Sequence, residues 1–247
     1  MDHKSDVRER VFRELRKVAI ADSRFHFDFG EFIADFEGSD AAVARLVSHR
    51  FYQESKVIFI TPDNCIEQLR NQALRDGKTI LMTTYSIRRG FWVLDPARIP
   101  KELYLYASTL DGMERVGTPV TLAEISSMPA LDYMVTGTGA INEEGVRFGK
   151  GHGFFDVEWG MLYKIGKISQ ATPAAAVVHE CQILREKLKP DVFDTVVDVV
   201  FTPSRTIEVP NAQKPALGIL WDVLDPKMYD TIPPLQELKR IEEASQR

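Results

Sequence analysis

The chain of 247 residues carries a formal net charge of -5, with 44% hydrophobic and 27% charged residues. That length fills one large α/β domain or two small ones, and the acidic balance argues against a duplex nucleic-acid binder, which shows a basic face. The expected partner is a small molecule, with no nucleic acid and no membrane, because no signal peptide and no apolar run of spanning length is recognised.

Cys65 and Cys181 are the two cysteines, and neither has metal-ligand spacing to a further cysteine or histidine. They are read as reduced thiols in a cytoplasmic protein rather than as a disulfide. No low-complexity linker divides the sequence, so residues 1–247 are expected to form one domain in which 211–247 are a C-terminal extension. That extension either covers the sheet or reaches a neighbouring subunit, and monomer and homodimer both stay open.

In chain order, Val7, Val11, Leu15 and Val18 recur at helical spacing with Phe12 and Ala19 beside them, which predicts an amphipathic helix over 5–19. Its other face, with Arg8, Arg10, Arg13, Arg16 and Lys17, reads first as a solvated face. An aromatic segment over 25–36 follows, which either packs on the core or closes over a ligand. Short apolar runs at 57–60, 79–82, 91–94, 103–107, 133–135, 174–178 and 196–201 then alternate with helix-length segments at 41–53, 65–75, 121–126, 156–168 and 235–244. That alternation builds an α/β fold around a mostly parallel central sheet.

Ligands of such sheets sit beyond the carboxyl ends of the strands. The residues there are Thr84, Tyr85, Ser86 and Arg88, then Gly137, Thr138 and Gly139, then His179 and Glu180, and finally Thr202, Ser204 and Arg205. Turn formers collect at the same edge, so each residue alone also reads as structural.

The densest chemistry lies in Gly149-Lys150-Gly151-His152-Gly153-Phe154-Phe155-Asp156, followed by Glu158. Alternating glycines let backbone N–H groups turn toward an anion, with a lysine beside them and an acid available to a metal. The run lacks Walker spacing, and Gly137-Thr138-Gly139 lacks the third glycine of a dinucleotide fingerprint. Alone, the run reads equally as a tight turn whose Asp156 caps the next helix. Lys150 between two glycines favours the anion, because a structural turn needs no cation.

Segment 145–156 resembles the GYRLGRGGGYYD signature of the 5-formyltetrahydrofolate cyclo-ligases, also called methenyltetrahydrofolate synthetases, with every spacing kept. The preceding LDYMVTGTGAINEEG is similar to that family's DLVLVPGLAFDRRG, and 197–204 resembles its VDAVVTPSG. Lys4 and Arg8 match the spacing of two N-terminal residues held there to contact ATP phosphates, and both fall on one helical face.

The resemblance implies an α/β fold, NagB/RpiA/CoA-transferase-like, with helices on both faces of a mostly parallel central sheet. It implies an ATP- and Mg²⁺-dependent conversion of 5-formyltetrahydrofolate to 5,10-methenyltetrahydrofolate, with ADP and phosphate released and ATP as co-substrate. Mapped onto this sequence, Lys150 becomes the catalytic cation, and Lys4, Arg8, Gly149, Lys150, Gly151 and Gly153 the nucleotide site. Asp156 and Asp198 become metal ligands, the latter also readable as a strand-edge acid in a salt bridge. His152 reads as a general base, a phosphate contact or a solvated loop residue. Phe154, Phe155 and Tyr85 are placed on the substrate, with Arg88 and Arg89 either meeting a substrate carboxylate or pairing with surface acids. Glu158 joins the metal shell or serves the helix dipole, while Trp92 and Trp221 pack.

Departures are as informative. The family's EVDT-like folate segment is replaced by Thr61-Pro62-Asp63-Asn64-Cys65-Ile66-Glu67. Phe154 and Phe155 keep ring stacking without the tyrosine hydroxyls, and His152 replaces a glycine. Glu158 and the segments 214–222 and 232–235 look like features of a divergent cyclo-ligase-like branch, part of which has been linked to thiamin metabolism. Three readings follow: a folate cyclo-ligase, an ATP-using paralogue acting on another formyl or amide metabolite, and a nucleotide- or folate-binding protein without turnover.

Overall fold

The computed structural model describes residues 3–245, with side chains from Val7 onward. Its helices are α1 (His3–Leu15), α2 (Ser39–Ser48), α3 (Arg50–Glu54), α4 (Glu67–Arg75), α5 (Tyr104–Ala107), α6 (Leu110–Val116), α7 (Leu122–Ser127), α8 (Phe154–Lys164), α9 (Pro226–Thr231) and α10 (Pro233–Ser245). The strands are β1 (Val57–Ile60), β2 (Thr79–Thr83), β3 (Phe91–Leu94), β4 (Thr118–Val120), β5 (Tyr133–Gly137), β6 (Ala140–Asn142), β7 (Arg147–Phe148), β8 (Ala174–Val177), β9 (Ile183–Leu184), β10 (Val199–Phe201) and β11 (Thr206–Glu208).

Eight strands form one sheet in the order β11-β10-β8-β5-β1-β2-β3-β4. The block from β10 to β2 is parallel, and β11, β3 and β4 join antiparallel at the margins. The expected mostly parallel α/β sheet is therefore present. Its central strands are buried on both faces, which is why they read as unbroken apolar runs. Along β1, Ile58 and Ile60 meet α2, α4 and α6 on one face. Val57 and Phe59 meet α7, α8 and α10 on the other. Phe91–Leu94 runs antiparallel to β2 because the connection from Thr83 is too short for a parallel crossover.

Two expectations are corrected. The run at 103–107 is a helical turn, not a strand: Tyr104 and Ala107 are buried while Leu105 and Tyr106 face solvent, a spacing of three rather than two. The first helix stops at Leu15, where Lys17 and Val18 bond back to Glu14 and Leu15 in tightened turns, and Ala19 bridges to Phe36.

A small sheet, β7-β6-β9, stands beside the main one. Val7 and Val11 of α1 pack on its Ala140, Phe148 and Leu184. Leu15 then meets Phe29 and Phe32 of the aromatic segment. This carries both the segment and the N-terminal helix to the glycine-rich loop between β7 and α8.

Beyond β11 the chain crosses α8 as a strap. Trp159 donates its indole N–H to the Pro215 carbonyl at 3.1 Å. Where Gly160 faces the strap, an added Cβ would lie 2.9 Å from Ile219 Cδ1 and 3.3 Å from the Gly218 carbonyl carbon, so a side chain there would make Ile219 turn aside and crowd the strap backbone. The far end of the chain, α10, buries Leu235 and Leu238 in the same layer. Among the described residues no helix is long and apolar enough to cross a membrane.

Candidate functional site

The loop Gly149 to Gly153 is a partition between two clefts. Arg147, Gly149, His152 and Gly153 line both; Lys150 lines only the first and Gly151 only the second. Gly151 (φ 110°) and Gly153 (φ 68°) make this possible, because both lie at backbone angles that side chains resist. Gly153 starts α8 with no side chain capping it, so the helix presents free N–H groups there.

The first cleft lies at the carboxyl ends of β1, β2 and β5. Asp63 fixes one wall: its Oδ2 accepts from Thr61 Oγ1 at 2.5 Å and from the Gly137 amide at 2.8 Å. Behind it the buried Arg70 donates Nη1 to the carbonyls of Thr61 and Asp63 at 2.8 and 3.0 Å and Nε to that of Ser108 at 2.7 Å. Sequence reading missed Asp63 and Arg70. The available signals were an acid at the end of β1, and an arginine among Leu69, Ala73 and Leu74 on the apolar face of α4.

The opposite wall turns through Tyr85, Ser86 and Ile87. Ser86 (φ 53°) and Ile87 (φ 58°) are both left-handed, an unusual conformation for a β-branched residue and one that marks a constrained turn. Tyr85 donates its hydroxyl to Glu31 Oε2 at 2.8 Å and stacks on Phe25 at 5.3 Å. The aromatic segment packs on α1 and, through Ile33 and Phe36, on the core, as one of its two expected roles has it, and its Phe32 and Ile33 line the cleft.

Lys150 reaches into this cleft. Its ammonium donates to the Glu31 carbonyl at 2.7 Å and lies 5.0 and 5.5 Å from the ring centres of Tyr85 and Phe154. Burial pushes its pKa below the ordinary lysine value, against the opposing pull of Asp63, Glu31 and Glu158. Phe155, by contrast, is 5% exposed and carries the Arg147 guanidinium 4.4 Å over its ring. Of the two phenylalanines, Phe154 is the one beside Lys150.

Glu158 forms part of the cleft floor. It is 2% exposed, its Oε1 accepts from Thr83 Oγ1 at 2.5 Å, and its Oε2 has no partner among the described residues. Burial raises its pKa to about 8, so the carboxyl is mostly neutral at pH 7.

In the second cleft Asp156 accepts at Oδ1 from Arg147 Nη2 at 2.6 Å and from the Thr195 amide at 2.8 Å. Arg8 faces it from α1. Its Nη1 lies 3.1 Å from the position of a Cβ on Gly151, and its buried Nε has no partner among the described residues. The side chain of Lys4 lies outside the described residues. His152 is exposed on the rim shared by the clefts, its ring 5.4 Å from that of Phe154.

Three expectations fail on geometry. Asp198 is not a metal ligand here: it precedes β10 at the amino edge of the parallel strands, accepts the Ala174 amide at 2.8 Å and pairs with Lys214 Nζ at 2.6 and 2.7 Å. That bears out its strand-edge reading. Glu158 cannot share a shell with Asp156, because two residues along a helix turn the side chain by about 200°. Of the strand-end census, only residues after β2 and β5 reach a cleft. Glu180 is held by Ser204 at 2.9 Å, Arg205 pairs with Glu143 at 3.0 Å, and His179 contacts Cys181 at 3.2 Å. Arg89 pairs with Glu114, Trp221 bonds Glu242 at 2.8 Å, and Trp92 packs at the edge of the core. Both cysteines are free.

Among the described residues no cluster of three or more acids, histidines or cysteines could hold a metal by itself. Asp156, with no hydrogen bond to Oδ2 among the described residues, fits magnesium only in the form that arrives on phosphate oxygens and needs one or two protein carboxylates.

Residues 1–203 match the model of the 5-formyltetrahydrofolate cyclo-ligase family. The methenyltetrahydrofolate synthase domain-containing proteins of Bos taurus and Homo sapiens are 30% and 29% identical over 244 residues, 97% of this chain and 63% and 62% of theirs. The chain therefore spans less than two thirds of the length of those relatives. The NMR structure of Aquifex aeolicus 5,10-methenyltetrahydrofolate synthetase superposes with a TM-score of 0.51 at 16% identity, covering 85% of this chain and 95% of that one. That likeness supports the fold.

Proposed function

Because this chain belongs to the 5-formyltetrahydrofolate cyclo-ligase family, we propose that it is an ATP-dependent cyclo-ligase acting on a formylated amine, with 5-formyltetrahydrofolate as the first substrate to test. The observation that carries this reading is the shared wall. One glycine-rich loop turns Lys150 into one cleft and packs Gly151 against Arg8 in the other. A phosphoryl donor and its acceptor can then meet across it.

A formamide oxygen is a poor leaving group. Transfer of the γ-phosphoryl group from ATP forms a bond from phosphorus to that oxygen and releases ADP. N10 then attacks the formyl carbon and gives up its proton, and the C–O bond breaks with its electron pair leaving on phosphate. The triphosphate lies in the second cleft against Arg8 and the uncapped start of α8, where amides and dipole favour an anion. Lys150 neutralises charge spreading over the transferred phosphoryl oxygens, and the closed cleft strengthens that effect. His152, on the rim of both clefts, takes the proton released by N10. Asp156 would hold magnesium, whose charge would offset that of the phosphates.

The test mixes protein, MgATP and 5-formyltetrahydrofolate and follows the near-ultraviolet absorbance of the methenyl product together with ADP. Equal amounts of both are expected. ATP binding without product would move the assignment to the second reading, an ATP-using paralogue acting on another formyl or amide metabolite, thiamin-related ones included. A specific observation favours that second reading: the cleft is lined by Asp63 and by Glu158, whose buried Oε2 has no partner among the described residues and is left to a hydrogen-bonding group of the substrate. Absence of ATP binding would overturn both.

A further inference from the structure

The second cleft has two chemically different ends. At one lie Arg8, the loop glycines and the start of α8; at the other lie Ile219, Leu220, Val223, Leu224 and Met228 of the strap, with Phe193 beside them. The cleft is open and spans about 1130 Å³ when the solvent at its mouth is included. Val223 is 63% exposed and Phe193 38%, two of the few large apolar side chains that face solvent among the described residues, and both line this opening. Exposed apolar side chains gathered at one cleft mark a binding surface more than scattered ones do.

The apolar end is built in advance. Lys214 is 3% exposed at the root of the strap and pairs with Asp198, Gln170 donates to the Lys214 carbonyl at 2.7 Å, and Trp159 holds Pro215. At the far end Asp225 caps α9 by accepting from the Lys227 amide at 2.9 Å and also lines the cleft. All these strap residues follow position 203, where the family match ends.

We infer that the strap is the nucleoside wall of the nucleotide site: the base lies on the apolar surface made by Phe193 and residues 219–228, with the phosphates on Arg8 and the loop. The inference rests on the ATP reading above and adds a base subsite to it. A flat base with apolar faces, tethered to an anion, matches both ends of the cleft at once, and a strap anchored at both ends limits the ordering cost of binding. Asp225 accepts from the sugar hydroxyls.

Calorimetric titration with MgATP and with inorganic tripolyphosphate separates the two ends. The wild-type chain should bind ATP more tightly than tripolyphosphate. The double variant Phe193→Ser, Val223→Asn changes exposed residues; it should keep its unfolding midpoint, lose about tenfold in ATP affinity and hold tripolyphosphate within about twofold. Arg8→Ala should weaken both ligands. Unchanged ATP affinity in the double variant, or equal affinity of the wild type for both ligands, overturns the base subsite while leaving the ATP reading in place. If the wild type binds neither ligand, the ATP reading and the base subsite fall together.

Discussion

Asp156 and Glu158 stand two residues apart on α8 and serve different clefts: the Asp156 carboxylate is held by Arg147 at 2.6 Å, and the Glu158 carboxyl by the Thr83 hydroxyl at 2.5 Å. The helical repeat divides them and sets them in different surroundings. Asp156 has a guanidinium beside it, whereas Glu158 is buried at the cleft floor with one oxygen unpartnered among the described residues. The loop between the clefts therefore has an acid paired with a guanidinium on one side and a mostly neutral one on the other at pH 7.

Glu158 makes stability depend on pH with a definite sign. Its folded pKa of about 8 lies above the ordinary value of 4.5, so the folded chain holds a proton that the unfolded chain releases between those values. Its contribution is fully present below pH 4.5 and is lost progressively as pH rises to about 8. Thermal unfolding across this window should show Glu158→Gln gaining on the wild type as pH rises. Asp35 and Glu67, also raised by burial, leave the variant some slope in the same direction. A constant difference between the two proteins would refute the assignment.

Lys150→Ala should lower ATP-dependent turnover about 10² to 10³-fold, the usual cost of one preorganised electrostatic contact in a closed site. Only the Glu31 carbonyl and two ring faces are lost from the fold, so the unfolding midpoint should shift little. Turnover within about threefold of wild type would remove the lysine from the mechanism.

Asp198→Ala leaves the ammonium of Lys214 buried and unpaired, at a cost of about 3 kcal/mol in denaturant unfolding. The magnesium concentration giving half-maximal rate should not move. Asp156→Asn should behave oppositely on that second measurement and raise the magnesium requirement. A shift in magnesium requirement caused by Asp198→Ala would restore it as a ligand.

Gly153→Ala and Gly151→Ala separate backbone strain from crowding. At Gly153 the space is open, with the nearest atom 3.8 Å away, and the left-handed angle alone should cost about 1 kcal/mol. At Gly151 the angle of 110° is less accessible and the new Cβ meets Arg8 at 3.1 Å. The second variant should therefore lose more stability and more ATP affinity. The two are compared by urea unfolding and by ATP titration.

Much of the fold was legible because burial on both faces leaves its mark locally. Val57–Ile60 and Ala174–Val177 read as central strands since every position is apolar. The run at 103–107 misled for the same reason: Leu105 and Tyr106 are apolar side chains left in solvent. In the site, Lys150 and the glycines were legible because φ angles of 68° and 110° leave little choice but glycine. Asp63 and Arg70 were not, since an acid in a turn and a charge on a helix are ordinary until the hydrogen bonds that hold them are seen.

By itself the sequence determined the mostly parallel sheet, the glycine-rich loop and the family resemblance, because hydrophobic period and backbone permission are written residue by residue. Only the tertiary structure decided which acids matter where. Asp198 went to Lys214 at the opposite edge of the sheet, Glu158 lost its charge to burial, and residues beyond the family match returned to wall the second cleft. Those outcomes depend on which groups meet across the fold and how much water reaches them, and neither quantity resides in a local stretch of chain.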